Sequence, residues 1–400
     1  MKNKLGIVRL FIFGGLVWAS LVGPISAVII LMERGASNTQ IGFFAAAGAV
    51  ISMGMQPVWG LISDKIGSPR RVLCVCVFGS GLSFGLLLFT GSFSLTIVFL
   101  LVDMFFRCGI PALLDSHIIS ETKARPGLQY SHIRMAGSLF FGGFSLIFSF
   151  IMNTFYVESI IPVSAVIALF TVGFGVFAAR GQWEELNKAS PDMLVTRAKG
   201  NLKRDALALI KNKPYLLLIV FVSLNALAVA PLFMFMIEYV NVVGGVPGNV
   251  PLIHALRCAV EIPAFILVGS YAKRTGAKTL MVAGGLFSLA YMIGLFFATT
   301  FFWLAISHLA AGAPGFILGL TGRLRLVEEL TPASVRSTSI TLMGTFEVGL
   351  GSILGNLIAG FVLEYYGTRH LSLVSACAMA LGIAVLFFIR KPKTADEVPV

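Results

Sequence analysis

Twelve apolar runs, each about the 20 residues a helix needs to cross bilayer hydrocarbon, follow one another along the chain with short polar stretches between them. They cover residues 7–32, 40–62, 71–91, 94–117, 131–153 and 159–179, then 214–240, 250–272, 279–298, 301–324, 336–362 and 370–389. Hydrocarbon offers no partner to a backbone N–H or C=O, so each run is expected to be a helix. The first run continues to Met32, too long for the apolar core of a signal peptide, and reads as a spanning segment. The pattern predicts an all-α membrane protein with twelve transmembrane helices.

Residues 180–213 break the rhythm. They hold eight basic and four acidic residues, with Ser190-Pro191 and Gly200-Asn201 as breakers. This stretch is expected to be a cytoplasmic linker joining an N-terminal bundle of six helices (1–179) to a C-terminal bundle of six with a short tail (214–400). Residues 202–209 could lie on the inner membrane surface as a short helix. The halves echo one another. Gly60 and Gly67 recur 209 residues later as Gly269 and Gly276, and Gly137 and Gly142 recur 207 residues later as Gly344 and Gly349. Such parallel repeats are a transporter architecture.

Composition agrees: 57% of residues are hydrophobic, 12% are charged, and the mean hydropathy is +0.91, against about 25% charged in soluble domains. The net charge of +12 would suggest nucleic acid in a soluble protein, but here its placement argues otherwise. Lys2, Lys4, Lys65, Arg70, Arg71, Lys123, Arg125, Lys273, Arg274, Lys278, Arg325, Arg390, Lys391 and Lys393 fall in one set of alternate loops, and only Arg34 and Arg369 in the other. That asymmetry puts both termini in the cytoplasm of a multi-pass inner-membrane protein. Tyr156, Tyr239, Trp303, Tyr365 and Tyr366 mark the outer interface. The five cysteines lie in apolar segments without a Cys-x-x-Cys pair and read as small hydrophobes, so neither disulfide nor metal is expected.

Ionisable residues inside spanning helices are expensive and mark functional positions. Helix four has Asp103 and Arg107, helix seven the polar Asn225, helix eight His254, Arg257 and Glu261, helix ten His308, and helix eleven Glu347. At a rise of 1.5 Å per residue, Asn225, Glu261 and Glu347 lie roughly 15 Å into their helices, near the midplane. Asp103–Arg107 and Arg257–Glu261 are each spaced i, i+4 and so share a helix face. These residues are expected to line a central cavity for solute and proton, with Glu261 as the proton carrier. Asp103–Arg107 reads equally as a structural ion pair, and the two histidines read as packing partners. Helices three, six, nine and twelve hold no ionisable core residue and are free to face lipid.

Gly60-Leu-Ile-Ser-Asp64-Lys65-Ile-Gly67-Ser-Pro-Arg70-Arg71, between helices two and three, resembles the signature of the major facilitator superfamily. Pro111-Ala-Leu-Leu-Asp115, Tyr130-Ser-His-Ile-Arg134-Met-Ala-Gly137 and Glu261-Ile-Pro263 resemble the lactose-permease-like proton symporters of that family, which carry sugars, nucleosides and phenylpropionate. The resemblance implies two pseudo-symmetric six-helix bundles, alternating access and proton-coupled symport. It gives Gly60, Asp64, Lys65, Gly67, Arg71, Asp115 and Arg134 to a cytoplasmic gate. Glycines permit tight turns and close helix approach, and Asp64 could cap a helix or pair with a base. The two arginines suggest an acidic solute, with a neutral sugar or nucleoside left open. Proton-antiport efflux of drugs or siderophores is the alternative. The chain is expected to act as a monomer with no cofactor and no nucleic-acid partner. It is not expected to be an enzyme. Gly81-Leu-Ser83-Phe-Gly85 and Gly173-Phe-Gly175 imitate soluble-enzyme motifs but sit inside spanning helices, and there is no Gly-Lys pair for a P-loop.

Overall fold

The computed structural model describes residues 2–123, 130–179, 209, 212–272, 274–331 and 336–389. Most of the 180–213 linker, its suggested surface helix, and the loop cations Arg125, Lys273, Arg390, Lys391 and Lys393 lie outside them. The described residues are helical, with turns and no strands.

Eleven helices are long and apolar enough to cross a membrane. They are α1 (Gly6–Glu33), α2 (Asn38–Ile66), α3 (Pro69–Phe89), α4 (Phe93–Glu121), α5 (Ile133–Thr154), α6 (Val157–Ala178), α7 (Lys213–Met234), α9 (Ala277–Phe296), α10 (Phe301–Leu330), α11 (Leu342–Tyr365) and α12 (Thr368–Phe388). The remaining expected segment is also a helix, α8 (Asn249–Ala272). Most ends fall within a few residues of those read from hydropathy. α7 ends at Met234, six residues before the expected 240, while α4 and α10 run six residues past the expected 117 and 324, to Lys123 and Leu330. Their last turns carry charge, so the apolar signal stops before the hydrogen bonding does.

Irregularities fall in particular helices. α1 breaks at Leu21 and Ser26 around Pro24. α4 breaks between Arg107 and Ile110, just before Pro111. α7 ends at Met234, three residues beyond Pro231, and a short helix, Met236–Val242, follows. A proline removes a donor and clashes with the preceding turn, which accounts for each of these breaks. α10 and α11 instead widen into π-helical turns over His308–Gly312 and Glu347–Ser352. α9 and α12 run unbroken.

In α1, 83% of the most apolar window is buried, against 39% in α6. α6 leaves Val166, Leu169, Phe170, Val176 and Phe177 exposed, and α12 leaves Leu373, Leu381, Phe387 and Phe388 exposed. Such surfaces suit hydrocarbon and would aggregate in water. Tyr156, Trp303, Tyr365 and Tyr366 are exposed as an interfacial belt requires, but Tyr239 is buried: it lies on the short helix Met236–Val242, whose core residues pack inward with it. Cys76 and Cys258 are buried, whereas Cys377 is exposed.

The chain divides into two compact units, Met1–Lys188 with Met236–Ile262, and Ala189–Phe235 with Pro263–Val400. In the first, Arg34 ties three helix ends together: it donates to Glu158 Oε1 at 2.9 Å, Thr96 Oγ1 at 2.6 Å and the Leu87 carbonyl at 3.0 Å. α5 packs on α8, where a Cβ added to Gly142 would lie 2.9 Å from Cys258 Cβ. At the far end of α5, Asn153 meets Gly248, just before α8 begins, so the two helices are antiparallel. In the second unit, small residues bring backbones together. A Cβ on Gly284 of α9 would meet the Gly319 nitrogen of α10 at 2.5 Å, and one on Gly351 of α11 the Ser223 carbonyl of α7 at 2.5 Å. Lipid provides no hydrophobic drive between helices, so close backbone contact of this kind holds them together.

Candidate functional site

Both i, i+4 pairs read from the sequence form. In α4, Arg107 Nε donates to Asp103 Oδ2 at 2.9 Å. Asp103 is fully buried, and its other oxygen accepts from Ser80 Oγ of α3 at 2.5 Å. Both carboxylate oxygens are therefore used inside the protein, which favours the structural role. Ser80 carries no charge and so escapes a search for ionisable residues.

In α8, Arg257 Nε donates to Glu261 Oε1 at 2.7 Å. Glu261 and His254 are buried, while Arg257 keeps 18% of its side chain exposed. The pair sits two residues before Pro263, a proline in the interior of α8.

Glu347 opens the wide turn of α11 and forms an ion pair with Arg323 of α10. Hydropathy does not single out Arg323. With α10 expected to end at 324, Arg323 resembles a terminal charge, but the helix continues to Leu330 and places it roughly 10 Å inside by the helical rise. Asn225, half-buried on α7, joins none of the three ion pairs. His308 is buried and its Nδ1 lies 3.0 Å from the Tyr291 hydroxyl, a bond between α10 and α9 of the kind expected of a packing histidine.

The residues given to the cytoplasmic gate are distributed differently. Gly67 caps α2 with φ of +68° and donates its N–H to the Ser63 carbonyl at 2.9 Å. Only glycine takes this backbone region cheaply, which explains its place in the signature. A Cβ added to Gly60 would meet nothing within 4 Å, so this glycine supports no close helix approach among the described residues. Asp64 and Lys65 are exposed in the last turn of α2. The cap of α3 is Ser68, so Asp64 does not cap that helix. Asp115 is half-buried in α4, and Arg71 is exposed on α3.

The guanidinium of Arg134 stacks over the Trp18 ring at 4.3 Å, in space that Gly137 leaves open: a Cβ there would lie 2.5 Å from Trp18 and 3.0 Å from Arg134. The Trp18 indole N–H is buried with no acceptor among the described residues.

The profile of the MFS_1 like family matches residues 7–374. The chain is 22% identical over 371 residues to the uncharacterized transporter YwbF of Bacillus subtilis (strain 168), covering 92% of this chain and 89% of that one. It is also 22% identical over 375 residues to the maltose permease of Geobacillus stearothermophilus, covering 94% and 92%. Among solved structures it resembles a mutant form of the nucleoside transporter NupG, with a TM-score of 0.77 at 17% identity over 97% of this chain and 100% of that one. It also resembles a D-xylose-proton symporter, with a TM-score of 0.71 at 13% identity over 98% and 99%. At such identities the structures speak for the fold, and the profile speaks for the family. The chain is a membrane transporter, not an enzyme, and belongs to the MFS_1 like family of the major facilitator superfamily.

Proposed function

We propose that this transporter imports a small organic solute across the inner membrane by proton-coupled symport. It works by alternating access between two six-helix halves (1–179 and 214–400) joined by the 180–213 linker, with both termini cytoplasmic. The observation that carries this reading is the Arg257–Glu261 pair, buried in α8 at 2.7 Å. Holding charge at membrane depth costs at least about 2.5 kcal/mol per residue, and charges kept there commonly mark the path of a polar solute or proton. Arg257, partly exposed, and Arg134, stacked on Trp18, are the groups offered to the solute. Asp103 and Arg107 brace the α3–α4 contact. The proton is exchanged at a carboxylate, Glu261 or Glu347.

Names of relatives point to sugars and nucleosides, and the guanidiniums suit an acidic group as well. The test is uptake into liposomes holding the purified monomer, under an inward proton gradient, with competition by sugars, nucleosides and aromatic acids. Uptake that collapses when the gradient is dissipated supports symport. Solute leaving against a gradient as protons enter would instead mean antiport efflux.

A further inference from the structure

Asp103–Arg107, Arg257–Glu261 and Arg323–Glu347 are acid–guanidinium pairs within the spanning helices, and they differ in one respect. Asp103–Arg107 and Arg257–Glu261 each join residues one turn apart on a single helix. Neutralising either carboxylate changes that helix's charge but releases no tie between helices within the pair. Arg323–Glu347 joins α10 to α11. Protonating Glu347 removes the attraction that holds two helices together, so here a proton can be converted into movement.

The local structure of α11 suits this. Glu347 is the first residue of a π-helical turn, a feature that recurs at functional sites because it adds a residue to one turn and loosens the ladder. The turn is backed by α7 at close range: Ser223 Oγ donates to the Phe346 carbonyl at 3.4 Å, and Gly351 and Gly355 abut the Ser223 and Leu227 carbonyls. α11 therefore has a fixed side against α7 and an ionic side against α10.

On α10, Arg323 bonds Glu347 through one terminal nitrogen, while its Nε–H is buried with no acceptor among the described residues. Its side chain remains 20% exposed and that of Glu347 26%. Other ionisable groups on the elements packed here lie elsewhere. Arg325 donates to the Thr275 carbonyl, Glu328 and Glu329 follow further down α10, and the only ionisable residues of α7, Lys213 and Tyr215, are two turns or more before Ser223.

We infer that Arg323 is a positioning residue of the proton step: it holds Glu347 ionised between α10 and α11, and when Glu347 takes a proton the freed guanidinium donates to an oxygen of the solute. The inference rests on the proton-coupled reading above and assigns its proton to Glu347 in place of Glu261. The step moves one proton from water to the Glu347 carboxylate and exchanges one oxygen acceptor of Arg323 for another.

The test is difference infrared spectroscopy of the carboxylic C=O stretch, on purified protein in liposomes titrated across about pH 5 to 8, where coupling must act. The expected result is a band lost in Glu347→Gln and kept in Glu261→Gln. In Arg323→Gln the band should change in frequency, because the carboxyl loses the partner that faces it across the two helices. Arg323→Lys should keep it near the wild-type frequency. Should Arg323→Gln fail to fold, the Arg323→Lys and Glu347→Gln proteins decide the matter. A band lost in Glu261→Gln and kept in Glu347→Gln overturns the inference while leaving proton coupling intact. No carboxylic band in the wild-type protein across the range overturns both.

Discussion

Arg257 and Glu261 are bonded at 2.7 Å one turn apart, so Glu261 fixes where the guanidinium points however α8 moves. Glu261→Gln removes a charged hydrogen bond worth about 1.5–3 kcal/mol. Solute uptake is therefore expected to fall about 10- to 100-fold, through KM more than through the maximal rate. Uptake kinetics measured across pH should show an unshifted optimum. An optimum displaced along the pH axis would return the proton to Glu261.

Asp103 calls for a stability measurement. Its carboxylate is fully buried between Arg107 and Ser80. Asp103→Ala strands a guanidinium and should cost about 3–5 kcal/mol. Ser80→Ala removes one hydrogen bond and should cost about 1 kcal/mol. Unfolding in detergent, followed by circular dichroism, would rank them. Equal losses would contradict the bracing role.

Gly142 and Cys258 offer a covalent probe. The position a Cβ would take on Gly142 lies 2.9 Å from Cys258 Cβ, shorter than the usual disulfide separation of about 3.5–4.5 Å, so a small parting of α5 and α8 brings the two into range. Gly142→Cys should form a bridge with Cys258 on mild oxidation, and transport should stop and then recover on reduction. The same variant carrying Cys258→Ser should be insensitive to oxidant.

Arg34 and Glu158 are partners of unequal weight. Arg34 has 10% of its side chain exposed and serves three acceptors, whereas Glu158 is 44% exposed. Arg34→Ala should destabilise by about 2–3 kcal/mol, from the loss of three charged bonds, and Glu158→Gln by less than about 1 kcal/mol, as exposed ion pairs do. Thermal unfolding of the two single variants and the double variant would apportion the difference.

The spanning helices are legible in the sequence because hydrocarbon enforces one backbone solution and a fixed length, so hydropathy alone finds them. Sequence spacing also finds the pairs within one helix, since i and i+4 share a face in any α-helix. Partners across helices escape it. Ser80 against Asp103, Trp18 under Arg134 and Arg323 against Glu347 depend on how helices pack, and packing leaves no periodic trace. Arg323 is hidden for a second reason: a cation near the end of an apolar run looks like an anchor until the true end of the helix is known. Tyr239 shows the opposite error, where an aromatic near a helix end reads as an interface residue because the short helix Met236–Val242 has no mark of its own in the sequence.

The wide turn at Glu347–Ser352 also bears on how relatives should be aligned. A π turn holds about one residue more than an α turn, and one residue is about 100° of rotation. Past Ser352, a helical wheel drawn without the extra residue assigns Asn356 and every later side chain to the wrong flank of α11. A homologue whose eleventh helix is regular would then match this one only with a single-residue gap in the middle of the membrane, where alignments are seldom allowed to open one. Deleting one residue from the turn should accordingly close it to a regular α turn and leave the later side chains on the flanks they now occupy.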